Sequence, residues 1–135
     1  MFVHIDSTCY VQIWDMNTFT CTKTLKGHDH TISCVVFVQS GDQLVTGSRD
    51  QTIKMWEVST GYCVRTLNGH SDWIKAIALS LDGQYLASGG VDQQIVVWNL
   101  TSGAAVQVTL LSFAVQARHE IMVTLFCRRY AVTSM

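Results

Sequence analysis

The chain has few charged residues and no strong excess of either sign. Charged side chains make up 14% of its 135 residues, and 9 basic against 10 acidic residues give a formal net charge of −1. This low charge, with 48% hydrophobic residues, argues against a disordered chain. The near balance of signs removes the electrostatic basis for nucleic-acid binding. Length and apolar content suit one folded domain with its own core.

Signals for membranes and secretion are also lacking. No run approaches the roughly 18 apolar residues of a membrane span. The first residues, Met1 to Asp6, have neither the basic nor the long apolar region of a secretory signal. The five cysteines include no Cys-x-x-Cys pair, which favours free thiols in a reducing compartment. We therefore expect a cytoplasmic protein that does not insert into membranes.

Sequence motifs for catalysis and metal binding are absent. The chain contains neither a Gly-x-Ser-x-Gly elbow nor a Gly-x-x-x-x-Gly-Lys phosphate loop. His119-Glu120 lacks the second histidine of a zinc hydrolase, because Val123 stands in its place. His28-Asp29-His30 is better explained as a turn than as a ligand pair. The sequence predicts no catalytic residue, no metal and no cofactor.

A repeat of 42 residues is the strongest signal in the chain. Trp14, Trp56 and Trp98 are 42 residues apart, and Gly27-His28 recurs as Gly69-His70 at the same interval. Turn residues recur in the same register without a gap: Gly41 and Gly83, Gly47 and Gly89, Asp50 and Asp92, Gly61 and Gly103. Such self-similarity indicates a repeat architecture.

Each repeat contains four short apolar runs separated by turn residues. In the first complete copy they are Ile32–Val38, Gln43–Gly47, Thr52–Val58 and Tyr62–Leu67, and in the second they are Ile74–Leu79, Tyr85–Gly89, Gln94–Leu100 and Ala104 onward. Val, Ile, Thr, Tyr and Trp dominate these runs, which indicates strands. Four short strands per repeat are typical of a β-propeller blade, so the predicted fold is all-β.

The repeated motif resembles the WD40 family, whose signature runs from Gly-His through Ser or Thr and Asp to a Trp-Asp pair. Glu57 and Asn99 replace the final Asp in the two complete copies, and only Trp14-Asp15 ends a third. The resemblance implies a propeller fragment with two complete four-stranded antiparallel blades and the end of another. The predicted boundaries are 1–26 for the outer strands of a preceding blade, 27–68 and 69–106 for the repeats, and 107–135 for a non-repeat tail.

The resemblance also implies a buried polar chain in each complete copy. In the family, the Trp indole donates to a hydroxyl, the hydroxyl contacts the His, and the His engages the turn Asp. Carried over, the two sets are Trp56, Thr46, His28 and Asp50, then Trp98, Ser88, His70 and Asp92. We interpret these His/Asp/hydroxyl sets as structural, because satisfied buried polar groups fix one geometry. The incomplete copy has His4 and Thr8 at the hydroxyl and Asp positions, so we expect no such chain there.

Residues 27–30 and 48–64 are similar to the middle blades of the lissencephaly-1 family, which includes the non-catalytic subunit of a platelet-activating-factor acetylhydrolase. That resemblance implies a binding scaffold whose partners are the dynein motor, its cofactors and acetylhydrolase catalytic subunits, acting near microtubules and centrosomes. The alternatives are another WD40 adaptor, such as a ubiquitin-ligase substrate receptor or a G-protein β-like scaffold, and, more remotely, a hydrolase.

WD40 partners usually dock on the top face of the propeller. The positions that point there lie three and five residues after the conserved His and just before the turn Asp. In this chain they are Thr31, Ser33 and Arg49 in one copy and Trp73, Lys75 and Val91 in the next. The combination of Arg, Lys and Trp suits an acidic partner surface.

The tail after Val106 departs from the repeat, because Leu111-Ser112 stands where the next Gly-His is due. Two explanations remain open. The tail is either non-homologous sequence joined to the array, or a capping or membrane-surface segment, with the apolar run Ile121–Phe126 followed by Arg128-Arg129.

Overall fold

The structure, a computed structural model, describes residues 2–5, 9–38 and 40–110. Within these residues the chain forms eleven β-strands and no helix. The strands are β1 (Phe2–Ile5), β2 (Tyr10–Asp15), β3 (Thr20–Lys26), β4 (Ile32–Phe37), β5 (Gln43–Ser48), β6 (Thr52–Glu57), β7 (Cys63–Asn68), β8 (Ile74–Leu79), β9 (Tyr85–Gly90), β10 (Gln94–Asn99) and β11 (Ala105–Leu110).

The strands form three antiparallel sheets in which chain neighbours pair with one another. The first sheet has the order β1-β2-β3, the second β4-β5-β6-β7, and the third β8-β9-β10-β11. The prediction of an all-β array, with two four-stranded blades and part of another, is confirmed. The last strand runs to Leu110, and the rest of the predicted tail, 111–135, lies outside the described residues, as does Thr8.

The backbone conformation of the turns explains why glycine recurs in them. Gly61 and Gly103 adopt φ values of +78° and +75°, a left-handed conformation that glycine enters without a Cβ clash. The equivalent position in the first sheet is Phe19, which has φ of +54° and is 76% exposed. The same turn is therefore made in all three sheets, once by a residue that is poorly suited to it.

The sheets pack face to face in chain order. Between the first and second sheets lies a core of aliphatic residues and one indole: Val11, Ile13, Leu25, Ile32, Leu44 and Trp56. Between the second and third lies the largest cluster: Val45, Ile53, Met55, Leu67, Ile74, Leu86, Val96, Trp98 and Leu100. Each pair of adjacent sheets thus shares one apolar core, as in stacked propeller blades.

Candidate functional site

In each complete sheet the polar set links two neighbouring strands, the turn between them and the loop that leads into the sheet. In the second sheet, Thr46 lies on β5 and Trp56 on β6, while Asp50 lies in the turn between these strands. His28 comes from the loop that leads into β4, just after Gly27. A Cβ on Gly27 would lie 3.0 Å from the Trp56 ring, so the glycine allows this loop to approach the indole closely.

The first set forms an unbroken chain of hydrogen bonds. Trp56 Nε1 donates to Thr46 Oγ1 at 2.9 Å, and Thr46 Oγ1 lies 2.7 Å from His28 Nε2. His28 Nδ1 lies 2.7 Å from Asp50 Oδ2. His28 is 5% exposed and Thr46 fully buried. All of the buried polar atoms that link these four side chains therefore have partners, as a stable interior requires.

The second set repeats this geometry with serine in place of threonine. Trp98 Nε1 donates to Ser88 Oγ at 2.8 Å, and Ser88 Oγ lies 2.7 Å from His70 Nε2. His70 Nδ1 lies 2.8 Å from Asp92 Oδ2. The structure therefore brings together all eight residues of the two sequence-derived sets.

Protonation in the first set follows from burial. Desolvation lowers the pKa of His28 below its ordinary 6.5, although the hydrogen bond to Asp50 opposes the effect. The ring is therefore neutral at pH 7. It donates from Nδ1 to Asp50 and accepts the Thr46 proton at Nε2, since the Thr46 oxygen already receives the Trp56 N–H.

The carboxylate of Asp50 accepts hydrogen bonds from more groups than His28, the one partner that the sequence indicated. Burial alone would raise the pKa of Asp50, but hydrogen bonds from Thr52 and His28 outweigh it and hold the pKa below 3.8. Thr52 donates to Oδ1 through both its hydroxyl, at 2.6 Å, and its backbone N–H, at 2.9 Å. The Asp29 backbone N–H donates to Oδ2 at 3.0 Å. The Asp-x-Thr spacing, typical of an Asx turn, was the available signal for Thr52.

In the first sheet the equivalent indole has no such chain. Trp14 Nε1 is buried without a hydrogen-bond partner among the described residues. His4 stands where the other copies have a hydroxyl, and Phe2 stacks on Trp14 with ring centroids 6.2 Å apart. Phe2, His4, Trp14 and Phe19 line a shallow groove on this sheet.

Three of the predicted top-face residues form one cluster, which we call the Arg–Trp–Lys patch: Arg49, Trp73 and Lys75. The Arg49 guanidinium lies 5.0 Å and the Lys75 ammonium 5.3 Å from the centre of the Trp73 ring. Both cations are exposed and the indole is half-buried. Arg49 belongs to the second sheet and the other two to the third, so the patch crosses the boundary between adjacent sheets.

The other three predicted top-face residues differ in their surroundings. Val91 is 39% exposed, and its backbone N–H donates to the Trp73 carbonyl at 2.8 Å. Thr31 is half-buried, and its carbonyl accepts the Arg49 backbone N–H at 2.9 Å. The hydroxyl of Ser33 turns inward, where it donates to the carbonyls of Gly47 and Ile74. Ser33 therefore joins the second and third sheets.

Comparison with known proteins agrees with this geometry. The model of the WD40 family, described as WD domain, G-beta repeat, matches residues 19–57 and 61–99, more than half of the chain. The chain belongs to the WD40 family. Each matched segment ends on Glu57 or Asn99, next to the tryptophan of a buried polar set.

Two fungal relatives give a narrower similarity. The WD40 chain is 44% identical over 46 residues to the nuclear distribution protein PAC1 of Yarrowia lipolytica, which covers 33% of this chain and 10% of that protein. It is 41% identical over 50 residues to the nuclear distribution protein nudF of Aspergillus niger, which covers 36% of this chain and 11% of that protein. The WD40 chain therefore matches about a tenth of the length of each.

Two further features of the WD40 chain bear on its chemistry. Within residues 2–5, 9–38 and 40–110, no three His, Cys, Asp or Glu side chains are grouped to hold a metal ion. In particular, His28 and His30 do not form part of such a group. The same part of the chain has no helix long and apolar enough to cross a membrane. His119 and Glu120 lie outside the described residues.

Proposed function

We propose that this WD40 chain is a non-catalytic protein-interaction scaffold of the dynein-regulator type, acting in microtubule-based transport, nuclear migration and spindle positioning. The observation that carries the proposal is the similarity to two nuclear distribution proteins, at 44% and 41% identity over about a third of the chain. On this proposal the protein works in the cytoplasm, at microtubules and centrosomes, and its partners are the dynein motor, dynein cofactors and acetylhydrolase catalytic subunits.

The two His/Asp/hydroxyl sets are proposed to be structural. In each set both ring nitrogens of the histidine are occupied, and the hydroxyl already accepts an indole N–H. A hydroxyl nucleophile needs a substrate within reach, but Thr46 and Ser88 are fully buried. The arrangement is therefore suited to holding strands together and not to attacking a substrate.

We propose the Arg–Trp–Lys patch as the main contact with an acidic partner. A half-buried indole with two exposed cations within 5.3 Å of its ring centre offers apolar area next to positive charge. Arg and Trp carry much of the energy of protein interfaces, because they bury a large area and present fixed donors. Val91 and Thr31 adjoin the patch through backbone hydrogen bonds to Trp73 and Arg49.

The proposal is tested by affinity capture from cytosol, with the full chain as bait. The informative variant carries Arg49→Ala, Trp73→Ala and Lys75→Ala together, and we expect it to lose at least about tenfold in affinity for captured dynein. The matched control removes another cation–aromatic pair, Lys26 and Tyr10, whose ammonium and ring centre are 5.0 Å apart on the first sheet.

Three results are distinguishable. Enrichment of dynein that depends on the patch, with unchanged capture by the Lys26 and Tyr10 control, supports both partner and surface. Enrichment of dynein that the triple variant retains contradicts the surface. Enrichment of cullin or ribosomal components in place of dynein favours the alternative of a ubiquitin-ligase receptor or G-protein β-like scaffold.

A further inference from the structure

Asn68-Gly69, the two residues that lead from β7 to the second polar set, form a sequence with a reactive backbone. The nitrogen of the residue after an asparagine can attack the side-chain amide carbon, and glycine has no Cβ to hinder this approach. The chain has three asparagines, and the other two, Asn17 and Asn99, precede threonine and leucine. Asn68 is therefore the asparagine whose sequence favours this reaction most.

The position of Asn68 in the fold leaves this reaction open. Asn68 is the last residue of β7, the strand at the edge of the second sheet, and it is paired there with Thr52 of β6. Its side chain is exposed and makes no hydrogen bond within the described part of the chain. The ends of strands open more readily than their centres, so the peptide between Asn68 and Gly69 reaches the conformations that the attack requires.

The Asp-Gly sequence of the chain, Asp82-Gly83, is open to the same attack but is held by hydrogen bonds. The Asp82 carboxylate accepts from the Ser80 hydroxyl and the Gln84 backbone N–H, and these bonds hold the pKa of Asp82 below its ordinary 3.8. The Gly83 N–H donates to the Ser80 carbonyl at 3.0 Å. An ionised carboxylate is a poor target for a nucleophile, and the attacking nitrogen is already engaged. Asp82-Gly83 is therefore an internal reference for a protected site.

We propose that Asn68 is a site of spontaneous deamidation, and that isoaspartate formed at this position disrupts the second polar set. The Gly69 nitrogen loses its proton to solvent and forms a bond to Asn68 Cγ. The bond from Cγ to Nδ2 then breaks, and the leaving nitrogen takes up a proton and departs as ammonia. Water opens the resulting succinimide ring at either carbonyl. Opening at Cγ gives aspartate, whereas opening at the backbone carbonyl leaves the Gly69 nitrogen bonded to Cγ, which is isoaspartate.

The packing of Gly69 explains why isoaspartate would matter at this position. Isoaspartate routes the main chain through Cβ and Cγ, which adds one backbone carbon before Gly69 and places a carboxylate beside it. A Cβ on Gly69 would lie 2.6 Å from Trp98 Cη2, so the backbone is already in close contact with the indole. The next residue is the buried His70, which is bonded to Ser88 and Asp92. A longer backbone here therefore moves His70 out of register with Trp98.

The repeat offers a second reference and the chemistry indicates a partner class. The first complete copy has Lys26-Gly27 at the equivalent position, where a Cβ on Gly27 would lie 3.0 Å from the Trp56 ring. Lysine has no side-chain carbonyl, so the reaction is confined to the second copy. Exposed isoaspartate is a substrate for methyltransferases that move a methyl group from the sulfonium of S-adenosylmethionine to the carboxylate oxygen. This inference does not depend on the dynein proposal.

Ageing of the unaltered full chain in mildly alkaline buffer tests the site. Peptide mass spectrometry with electron-transfer fragmentation measures isoaspartate at each position. We expect it to form at Asn68 about tenfold faster, or more, than at Asn17, Asn99 or Asp82, where the attacking nitrogen is hindered or engaged. An isoaspartyl methyltransferase with labelled S-adenosylmethionine should label the same peptide. A rate at Asn68 no higher than that at Asn17 or Asn99 overturns the proposal.

Two variants separate the longer backbone from the added charge. Asn68→Asp carries the charge on an unaltered backbone, and Asn68→Lys gives the second copy the Lys-Gly sequence of the first. We expect both variants, freshly purified, to keep the urea midpoint of the unaltered chain, and the purified isoaspartate form to unfold at a lower urea concentration. An isoaspartate form with an unchanged midpoint contradicts the loss of the second polar set. A midpoint that falls equally on ageing in Asn68→Lys would show that the damage lies elsewhere.

Discussion

At the scale of single residues, the repeat preserves a geometry more strictly than it preserves side chains. Thr46 and Ser88 differ by a methyl group, yet each hydroxyl lies 2.7 Å from a histidine and accepts an indole N–H at 2.9 or 2.8 Å. The two copies share a hydroxyl oxygen at the same position relative to the histidine and the tryptophan. Sequence reasoning located it because the Gly-His and Trp positions are fixed by the 42-residue interval.

Replacing Asp92 with alanine is expected to lower the free energy of unfolding by about 1–3 kcal/mol, because the change leaves the ring N–H of the buried His70 without its acceptor. Asp92 accepts hydrogen bonds from His70, from the Ser71 backbone at 3.0 Å and from the Gln94 backbone at 3.2 Å. Urea denaturation of the full chain measures the change. Asp42→Ala, at an exposed turn, is the control, and equal losses in the two variants would contradict the structural role.

Acid is expected to weaken the second sheet in two steps. The pKa of His28 in the folded chain lies below its ordinary value of 6.5. Below pH 6.5 the unfolded chain therefore binds more protons at this histidine than the folded chain does. The free energy of unfolding consequently falls as the pH falls below 6.5. Asp50, whose pKa lies below 3.8, adds a second decline below that value. Thermal unfolding between pH 7 and 5 should show the first step.

His28→Gln tests the origin of that first step and should flatten the pH dependence, although it also lowers stability overall. His30→Gln removes an exposed histidine from the same loop and should leave the pH dependence intact. If the two variants show the same slope between pH 7 and 5, the decline does not originate at His28.

At the scale of strands and turns, the sequence predicted most of what the structure shows, because short β-branched runs alternate with turn residues. Within the two complete sheets, β8, Ile74–Leu79, lies where the pattern placed it, and the other strands differ from their predicted runs by one residue at one end or both. The pattern gave no sign that Gln51 and Gln93 adopt φ of +75° and +67°. Glutamine, unlike glycine, carries no conformational signal for a left-handed turn.

The inward direction of the Ser33 hydroxyl also could not be read from the sequence. Pairing between β4 and β5 shifts register between Ile32 and Cys34, which interrupts the regular alternation of side chains at Ser33. The neighbouring β8 then supplies the Ile74 carbonyl as an acceptor. Lys75, the equivalent residue of the third sheet, is exposed. Ser33 thus turns inward toward an acceptor on the neighbouring sheet, and the sequence of a single repeat does not contain this acceptor.

Phe19→Gly is expected to stabilise the first sheet by up to about 1 kcal/mol. A left-handed residue with a Cβ costs about 1–2 kcal/mol, part of which is offset by the greater freedom of glycine in the unfolded chain. The exposed side chain of Phe19 offers little packing to lose. Urea denaturation measures the gain.

Met16→Gly is the control for this change, since Met16 is 52% exposed in the same turn and has no positive φ. It should leave stability unchanged or lower it. A loss of stability in Phe19→Gly as large as that in Met16→Gly would show that the turn is not strained at Phe19.

At the scale of the whole molecule, stability depends on how closely adjacent sheets approach. Gly47 lies where the second and third sheets meet, and a Cβ there would be 2.7 Å from Cys34 Sγ and 2.9 Å from Ile74 Cγ2. Arg65 makes a second link at the same boundary by donating to the carbonyls of Leu100 and Thr101 at 3.2 and 3.1 Å. The two sheets are therefore joined by apolar packing and by polar contacts to backbone.

Gly47→Ala is expected to lower the free energy of unfolding by about 1–3 kcal/mol, because overpacking forces the sheets apart. Combining it with Cys34→Ala removes the nearest obstructing atom and should recover part of the loss. A double-mutant cycle with Cys34→Ala alone measures the coupling. Strict additivity of the two changes would show that the added methyl group is accommodated without contact with Cys34.

The meander order of the sheets has a consequence for folding kinetics. Within each of the three described sheets, consecutive strands pair with one another, as in β4-β5-β6-β7. Pairing therefore closes only short loops, and hairpins of this kind form within microseconds. Docking of one finished sheet on the next joins residues as far apart as Ser33 and Ile74 and follows later. We therefore expect substitutions inside a sheet to alter the folding rate, and substitutions between sheets, such as Gly47→Ala, to act mainly by accelerating unfolding.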